Sequence, residues 1–291
     1  MKNPRSVSKE QSFKPGLYLV ATPIGNLGDI TLRALDTLRG CDTILCEDTR
    51  VTRKLLSAYD IRKPVLSYHD HSDDTKRERI TALLREGKAL ALVSDAGMPL
   101  ISDPGYKLVR ACVEEGIYVT SLPGANAPLT ALQLSGLPSD RFCFLGFLPA
   151  KSGARKAVLE EWGDADATLV FFESASRLTA TLKAMGEILG HRSIAVVREL
   201  SKLFEEVRRG NAAELVSFYE ENGAPKGEIV LVAGPPEAGR TEKKVGDKEI
   251  ESRLRGLLKT LKTKEAAAIV AEEAGIPRKQ AYALALRLVK E

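Results

Sequence analysis

The chain is poor in the residues that most simply betray a function. Aromatic residues make up 5% of its 291 positions, with a single tryptophan. Modules that read single-stranded RNA by stacking carry aromatic platforms, so a pure RNA-binding domain is disfavoured. Cysteine is equally scarce. Cys41, Cys46, Cys112 and Cys143 form no CxxC pair and have no histidine close by, which argues against a zinc site. They read as buried, reduced thiols of a cytoplasmic protein. His69 and His71 stand one residue apart in HDHSDD. With no third clear ligand they read as substrate-loop or structural residues, and no metal is expected. No apolar run is long enough to span a bilayer. The polar, basic start lacks the apolar segment of a signal peptide, and residues 1–15 read as a disordered tail. Two nucleotide motifs are missing as well. Only Gly25 and Gly28 follow the first apolar run, so there is no GxGxxG, and GFLPAKS lacks the glycine a P-loop needs before Lys151.

What is present is an alternation. Short aliphatic runs (LYLVA, TILCED, PVLSYH, ALALVSD, IYVTSLPG) are separated by helical patterns over residues 30–39, 52–59, 75–86 and 106–115. Strand–helix alternation with near-continuously apolar strands predicts an α/β unit with a mostly parallel sheet, over residues 16–134. A second α/β unit over 135–236 mixes RFCFLGFLP, ATLVFFES, SIAVVREL, FEEVRRG and GEIVLVAG with helices at 176–189 and 212–222, some strands antiparallel. Lys151, Arg155 and Lys156 read as a basic loop placed to touch RNA. Residues 235–246 are a Pro/Gly/charged linker. The C-terminal unit is read as residues 237–291, small, helical and helix-turn-helix-like, with helices beyond the linker at 247–260, 264–274 and 278–289 and a turn at Gly275 and Pro277.

Charge follows the same division. Overall there are 43 Lys+Arg and 39 Asp+Glu, but residues 240–291 alone hold 13 basic and 8 acidic side chains. A basic end suits a phosphate backbone, and a solvated helical surface fits the count equally well.

Chemistry is sought where loops leave the carboxyl ends of parallel strands, because open α/β sheets bind ligands there. Three loops are rich in special-geometry residues: TPIGN at 22–26, SDAGMPLISDPG at 94–105 and SLPGANAPLTAL at 121–132. In the second, Asp95 and Asp103 each cap a turn, and backbone carbonyls with a nearby carboxylate suit a positively charged ligand. In the third, a helix opens near Asn126, and its first N–H groups suit a carboxylate or ribose oxygens.

These loops in this order, together with CEDTR, SYHDH, GFLP, FFES and KGEIVLV, resemble the tetrapyrrole methylase superfamily over residues 17–234. TPIGN in the first loop is similar to the RNA-modifying branch, and the basic helical end to that branch's extension. The resemblance implies two α/β domains with S-adenosylmethionine held between them, a homodimer, and 2′-O-methylation of a cytidine in the decoding region of 16S rRNA, met within the small ribosomal subunit. By loop position it implies cofactor contacts from Pro23, Gly25, Ser94, Asp95, Gly97, Ile101, Ser102, Ser121, Ala125 and Phe172; Ile101 and Phe172 also read as core. Glu47, Arg50, Lys226 and Glu228 stand at strand ends as candidates for chemistry and RNA orientation, with Asp48, Glu173, Arg198 and Glu199 in similar places. Any one of them also reads as an ordinary surface ion pair. Two other readings stay open: a relative acting on a small molecule or protein, and a non-catalytic ribosome-assembly factor.

Overall fold

The computed structural model describes residues 13–69, 74–190, 192–236, 247–259, 261–273 and 278–290. The first unit runs β1 (Gly16–Val20), α1 (Leu32–Gly40), β2 (Thr43–Cys46), α2 (Thr49–Ala58), β3 (Val65–Ser67), α3 (Asp74–Arg85), β4 (Ala89–Val93), α4 (Tyr106–Glu114), β5 (Val119–Leu122) and α5 (Ala127–Ser135). Its five strands lie in the order β3-β2-β4-β1-β5, and every pairing is parallel. The strands are apolar throughout because both faces are covered. Alternate residues point to opposite sides. Val20, Ile44, Ala91 and Val93 join one core with Ala34 and Leu38 of α1. Leu17, Leu45, Leu90 and Leu92 join the other with Leu84, Leu108 and Cys112.

The second unit runs β6 (Phe142–Phe147), α6 (Ser152–Trp162), β7 (Thr168–Ser174), α7 (Leu178–Ile188), β8 (Ile194–Arg198), β9 (Glu206–Gly210), α8 (Ala212–Asn222) and β10 (Glu228–Ala233). The strand order is β6-β7-β10-β8-β9, parallel between β6 and β7 and antiparallel elsewhere. Leu159, Leu182, Met185, Leu215 and Tyr219 cover one face of this sheet. The other face is covered by the first unit's last helix: Ala131 and Leu132 of α5 pack on Val170, Ala195, Val197, Val230 and Val232. Arg209 of β9 also donates to the carbonyls of Leu134 and Ser135 at the end of α5. The two units are therefore locked together through α5.

Three helices follow, α9 (Asp247–Leu257), α10 (Thr263–Glu273) and α11 (Arg278–Lys290), around their own core of Leu254, Ala266, Val270, Ala281 and Ala285. Among the described residues no helix is long and apolar enough to cross a membrane.

Several boundaries differ from expectation for local reasons. The strand expected to run through TILCED stops at Cys46, because Asp48 turns its side chain to cap α2 and accepts from the Arg50 N–H at 2.7 Å. The helix after it consequently starts three residues early. The basic loop at 151–156 is not a loop but the opening of α6, in which Arg155 is buried and Lys156 pairs with Glu187. Of the disordered tail expected at 1–15, residues 13–15 are placed: Phe13 packs on the Tyr18 ring, and the Tyr18 hydroxyl donates to the Lys14 carbonyl at 2.8 Å. The rest of that tail, His71, residues 237–246 of the linker expected at 235–246 and the Gly275–Pro277 turn lie outside the described residues.

Candidate functional site

The strand order places β1 between β4 and β5, so the loops leaving these three strands are neighbours. The first and second loops are paired outright. Thr22 and Gly97 exchange backbone hydrogen bonds of 2.9 and 3.0 Å, and the Thr22 hydroxyl donates to the Ser94 carbonyl at 3.0 Å. Gly97 has a φ of 84°, the left-handed region that a side chain strains. A Cβ at that position would stand 3.3 Å from Ile24 and 3.6 Å from the Ala125 carbonyl, so all three loops meet there. In the third loop Asn126 caps α5, accepting from the Leu129 N–H at 2.9 Å, and its amide approaches the Met98 sulfur at 3.4 Å.

The 94–105 loop is held in an unusual shape. Leu100 and Ser102 have φ values of 70° and 64°, and across the cleft Glu199 and Ser201 have 52° and 62°. Non-glycine residues in this region store strain, and such positions cluster at functional sites. The two related turns of the loop are joined directly, because the Ser94 hydroxyl donates to Asp103 at 2.6 Å. Burial pushes the Asp103 carboxyl above the ordinary carboxylate range. The Ser94 hydrogen bond opposes this, and the negative charges of Glu47 and Asp95 add to it.

Between this loop and the edge of the second sheet lies a cavity of about 390 Å³. Ile24, Gly97, Met98, Ile101, Ser102, Asp103, Asn126 and Pro128 line it from the first unit, and Phe147, Phe172–Ala175, Leu200 and Gly227–Val230 from the second. The units touch at its rim. A Cβ on Gly25 would come within 2.5 Å of the Lys202 side chain and 2.7 Å of the Leu200 carbonyl, so only glycine allows this approach.

Of the expected cofactor contacts, Gly97, Ile101, Ser102 and Phe172 face the cavity. Ser94 and Asp95 belong to the same loop but turn inward, Ser94 to Asp103 and Asp95 to the Asp48 N–H at 3.2 Å. Pro23, Gly25, Ser121 and Ala125 sit on the converging loops without lining the space. The Ser121 carbonyl instead accepts from Arg33 at 3.1 Å.

Of the candidates for chemistry, Glu228 lines the cavity and is bonded to Lys202 at 2.9 Å. Lys202 also reaches Glu199 at 2.7 Å. Burial pushes the Lys202 ammonium down, but its bonds to Glu199 and Glu228 outweigh this and leave its pKa raised. Glu47, Arg50 and Lys226 stand outside the cavity. Glu47 is 3.9 Å from His69, exposed Lys226 offers its carbonyl to Arg198 at 3.2 Å, and Arg50 clasps Asp48 at 2.6 Å. That clasp lowers the Asp48 pKa to about 2. Glu173 lines the cavity with its strand but turns its carboxylate to Arg177 at 3.2 Å and Thr181 at 2.6 Å. Arg198 pairs with Glu206 at 3.1 Å.

Asp103, Met98, Leu200 and Gly227 line the cavity without having been singled out as contacts. The repeated SD turn was a signal for Asp103. For Leu200 and Gly227 no motif exists, because packing between the units brings them there. The cysteines take no part: burial pushes the Cys41 and Cys112 thiols up to about 11. Among the described residues no group of three His, Cys, Asp or Glu is placed to hold a metal.

Residues 16–216 match the family model of tetrapyrrole (corrin/porphyrin) methylases. The chain belongs to the tetrapyrrole methylase family. Within this family its relatives include proteins named ribosomal RNA small subunit methyltransferase I. The one from Mesorhizobium japonicum is 48% identical, covering 95% of this chain and 93% of its own. The one from Erythrobacter litoralis is 53% identical, covering 96% and 97%. Residues 244–288 match a second model, the RsmI C-terminal HTH domain. Among solved methylase structures, diphthine synthase superposes with a TM-score of 0.59 at 16% identity, over 75% of this chain and 89% of its own. Uroporphyrin-III C-methyltransferase from Thermus thermophilus, complexed with S-adenosylhomocysteine, gives 0.52 at 18% identity, over 75% and 97%. At these identities the two structures establish a shared methylase fold.

Proposed function

We propose that the chain is a ribosomal RNA methyltransferase that takes a methyl group from S-adenosylmethionine and places it on the ribose 2′-oxygen of a cytidine in the decoding region of 16S rRNA. The observation that carries this reading is the near-full-length match to relatives named for small-subunit rRNA methylation, in a chain whose three family loops converge on one cavity.

The residues present fit the donor. The cavity, about 390 Å³ and largely apolar with a few polar groups, falls in the range of small-molecule sites. Gly97 leaves open a space that any side chain would enter. Asp103 and Glu228 bring carboxylates to a ligand that carries positive charge on its sulfur and amine. When bound, S-adenosylmethionine supplies a methyl group on a sulfonium that is already a good leaving group.

The protein's share is positioning and exclusion of water. In this reading the apolar wall of Ile24, Ile101, Phe172 and Leu200 keeps the space dry and receives the adenosyl group. Gly97 and Ser102 give it backbone contacts, with Pro23, Gly25, Ala125, Ser121, Ser94 and Asp95 holding the loops that present them. Asp103, fixed by Ser94, faces the positive charge. Glu228, steadied by Lys202, accepts the ribose hydroxyl's proton or a hydrogen bond from it. Glu47, Arg50 and Lys226 orient the RNA from the rim, and the basic C-terminal helices add phosphate contacts.

The same reading divides the chain at 134/135 and 236/237, and makes the active form a cytoplasmic homodimer; the family resemblance supports these points. Calorimetry with S-adenosylmethionine tests the donor site. Saturable binding that is lost in Gly97→Val supports the reading, and absence of binding both free and on small ribosomal subunits removes it.

A further inference from the structure

Helix α6 opens without a side-chain cap. Lys151 stands at its N-cap position and makes no capping hydrogen bond, and residues 151–154 are all exposed. The unpaired N–H groups of the first turn, with the positive end of the helix dipole, therefore face solvent.

A second, independent feature lies beside them. Arg155 is only 6% exposed, its Nε is wholly buried without a partner, and among the described residues its guanidinium makes no hydrogen bond or ion pair. The other buried arginine is engaged: Arg192 donates to the carbonyls of Gly163, Ala165, Ala167 and Gly234. A buried cation left unpaired is costly, which points to a partner from outside the chain. Arg155 is the fourth residue of α6, and helical side chains lean toward the N-terminus, so its side chain leaves the helix toward the same opening turn. Lys151 has no ion pair among the described residues, whereas Lys156 is taken by Glu187.

The distance from the cavity is bounded by the chain. Phe147, at the end of β6, lines the cavity and is 58% exposed. The segment from there to Lys151 spans at most about 14 Å.

We infer that the opening turn of α6, with Lys151 and Arg155, is a phosphate-binding site that grips the backbone of the substrate RNA beside the cavity. The inference rests on the function proposed above. Free helix N–H groups match phosphate oxygens, and a guanidinium adds a planar fork of donors. An enzyme that draws one nucleotide into a pocket must hold the flanking backbone, and phosphate contacts do so without reading sequence.

The test uses the full chain and small ribosomal subunits lacking the modification. Binding is measured across salt concentrations for the wild type, Lys151→Gln, Arg155→Met and Arg155→Lys, with S-adenosylmethionine affinity measured alongside. Lys151→Gln and Arg155→Met are each expected to weaken subunit binding several-fold. Each is also expected to lower the slope of log affinity against log salt by about 0.7 to 0.9, with donor affinity unchanged. Arg155→Lys regains the slope but not the full affinity, because an ammonium lacks the fork. An unchanged slope in both charge-removing variants overturns the inference. So does loss of donor affinity with subunit binding intact, which would assign the anion to the donor's carboxylate. Should Arg155→Met fail to fold, exposed Lys151→Gln still decides. If the wild type binds neither donor nor subunit, the proposed function itself falls; if it binds both and the variants match it, only the phosphate site does.

Discussion

Gly97 and Asp103 carry opposite kinds of cost for the same cavity. Gly97 holds a φ of 84° beside Ile24 and the Ala125 carbonyl, so Gly97→Val adds backbone strain and fills ligand space. Donor affinity is expected to fall at least 100-fold in calorimetry, with a stability loss of about 1–3 kcal/mol in urea titration. Asp103 works the other way. Its carboxyl is raised in the folded protein, mainly by burial. By linkage, its contribution to stability is fully present below the ordinary carboxylate pKa and lost as pH rises through the raised folded value. At neutral pH the charged Asp103 is thus destabilising, and its use is for the ligand. Asp103→Asn should raise Tm at pH 7 while weakening donor binding by about tenfold. A lowered Tm with unchanged affinity would contradict both roles. At this scale the sequence told much: proline, glycine and Ser-Asp turns after apolar runs flagged the loops holding both residues. It did not tell which side chains face the ligand, because Ser94 and Asp95 turn inward to Asp103 and to the Asp48 N–H, contacts set by neighbouring loops.

At the scale of elements, α5 has two duties. Its opening turn lines the cavity with Ala127 and Pro128, and its body packs Leu132 on the second sheet. Leu132→Ala should cost about 2–5 kcal/mol in urea titration and also weaken donor binding. Leu182→Ala, in the core on the other side of that sheet, should cost as much stability and leave donor affinity alone. Equal effects on affinity would show that α5 does not position the site. Most elements were readable because a parallel sheet buried on both faces writes continuous apolar strands, as in β4. Helix α6 was not: Gly153 near its start and adjacent Arg155 and Lys156 imitate a basic loop, and only Leu159 is fully buried among its apolar residues. The sequence also could not show that Leu200 and Gly227 reach the cavity, since the docking of two sheets through α5 brings them there.

At the scale of the molecule, binding of the donor and of RNA are assigned to different parts. The C-terminal helices keep their own core, and residues 240–291 hold 13 basic against 8 acidic side chains. Ending the chain at Gly239 should leave donor affinity within about twofold while weakening subunit binding tenfold or more and flattening its salt dependence. Equal methylation by the shortened chain would deny the helices that role. The central claim is that the cavity between the sheets delivers a methyl group to a ribose of small-subunit rRNA. The most direct measurement maps 2′-O-methylation along that rRNA from cells lacking the protein, complemented with the wild type or with Gly97→Val. The account predicts one ribose methylation in the decoding region that disappears with the protein, returns with the wild type and does not return with the variant. An unaltered methylation map in cells lacking the protein would contradict it.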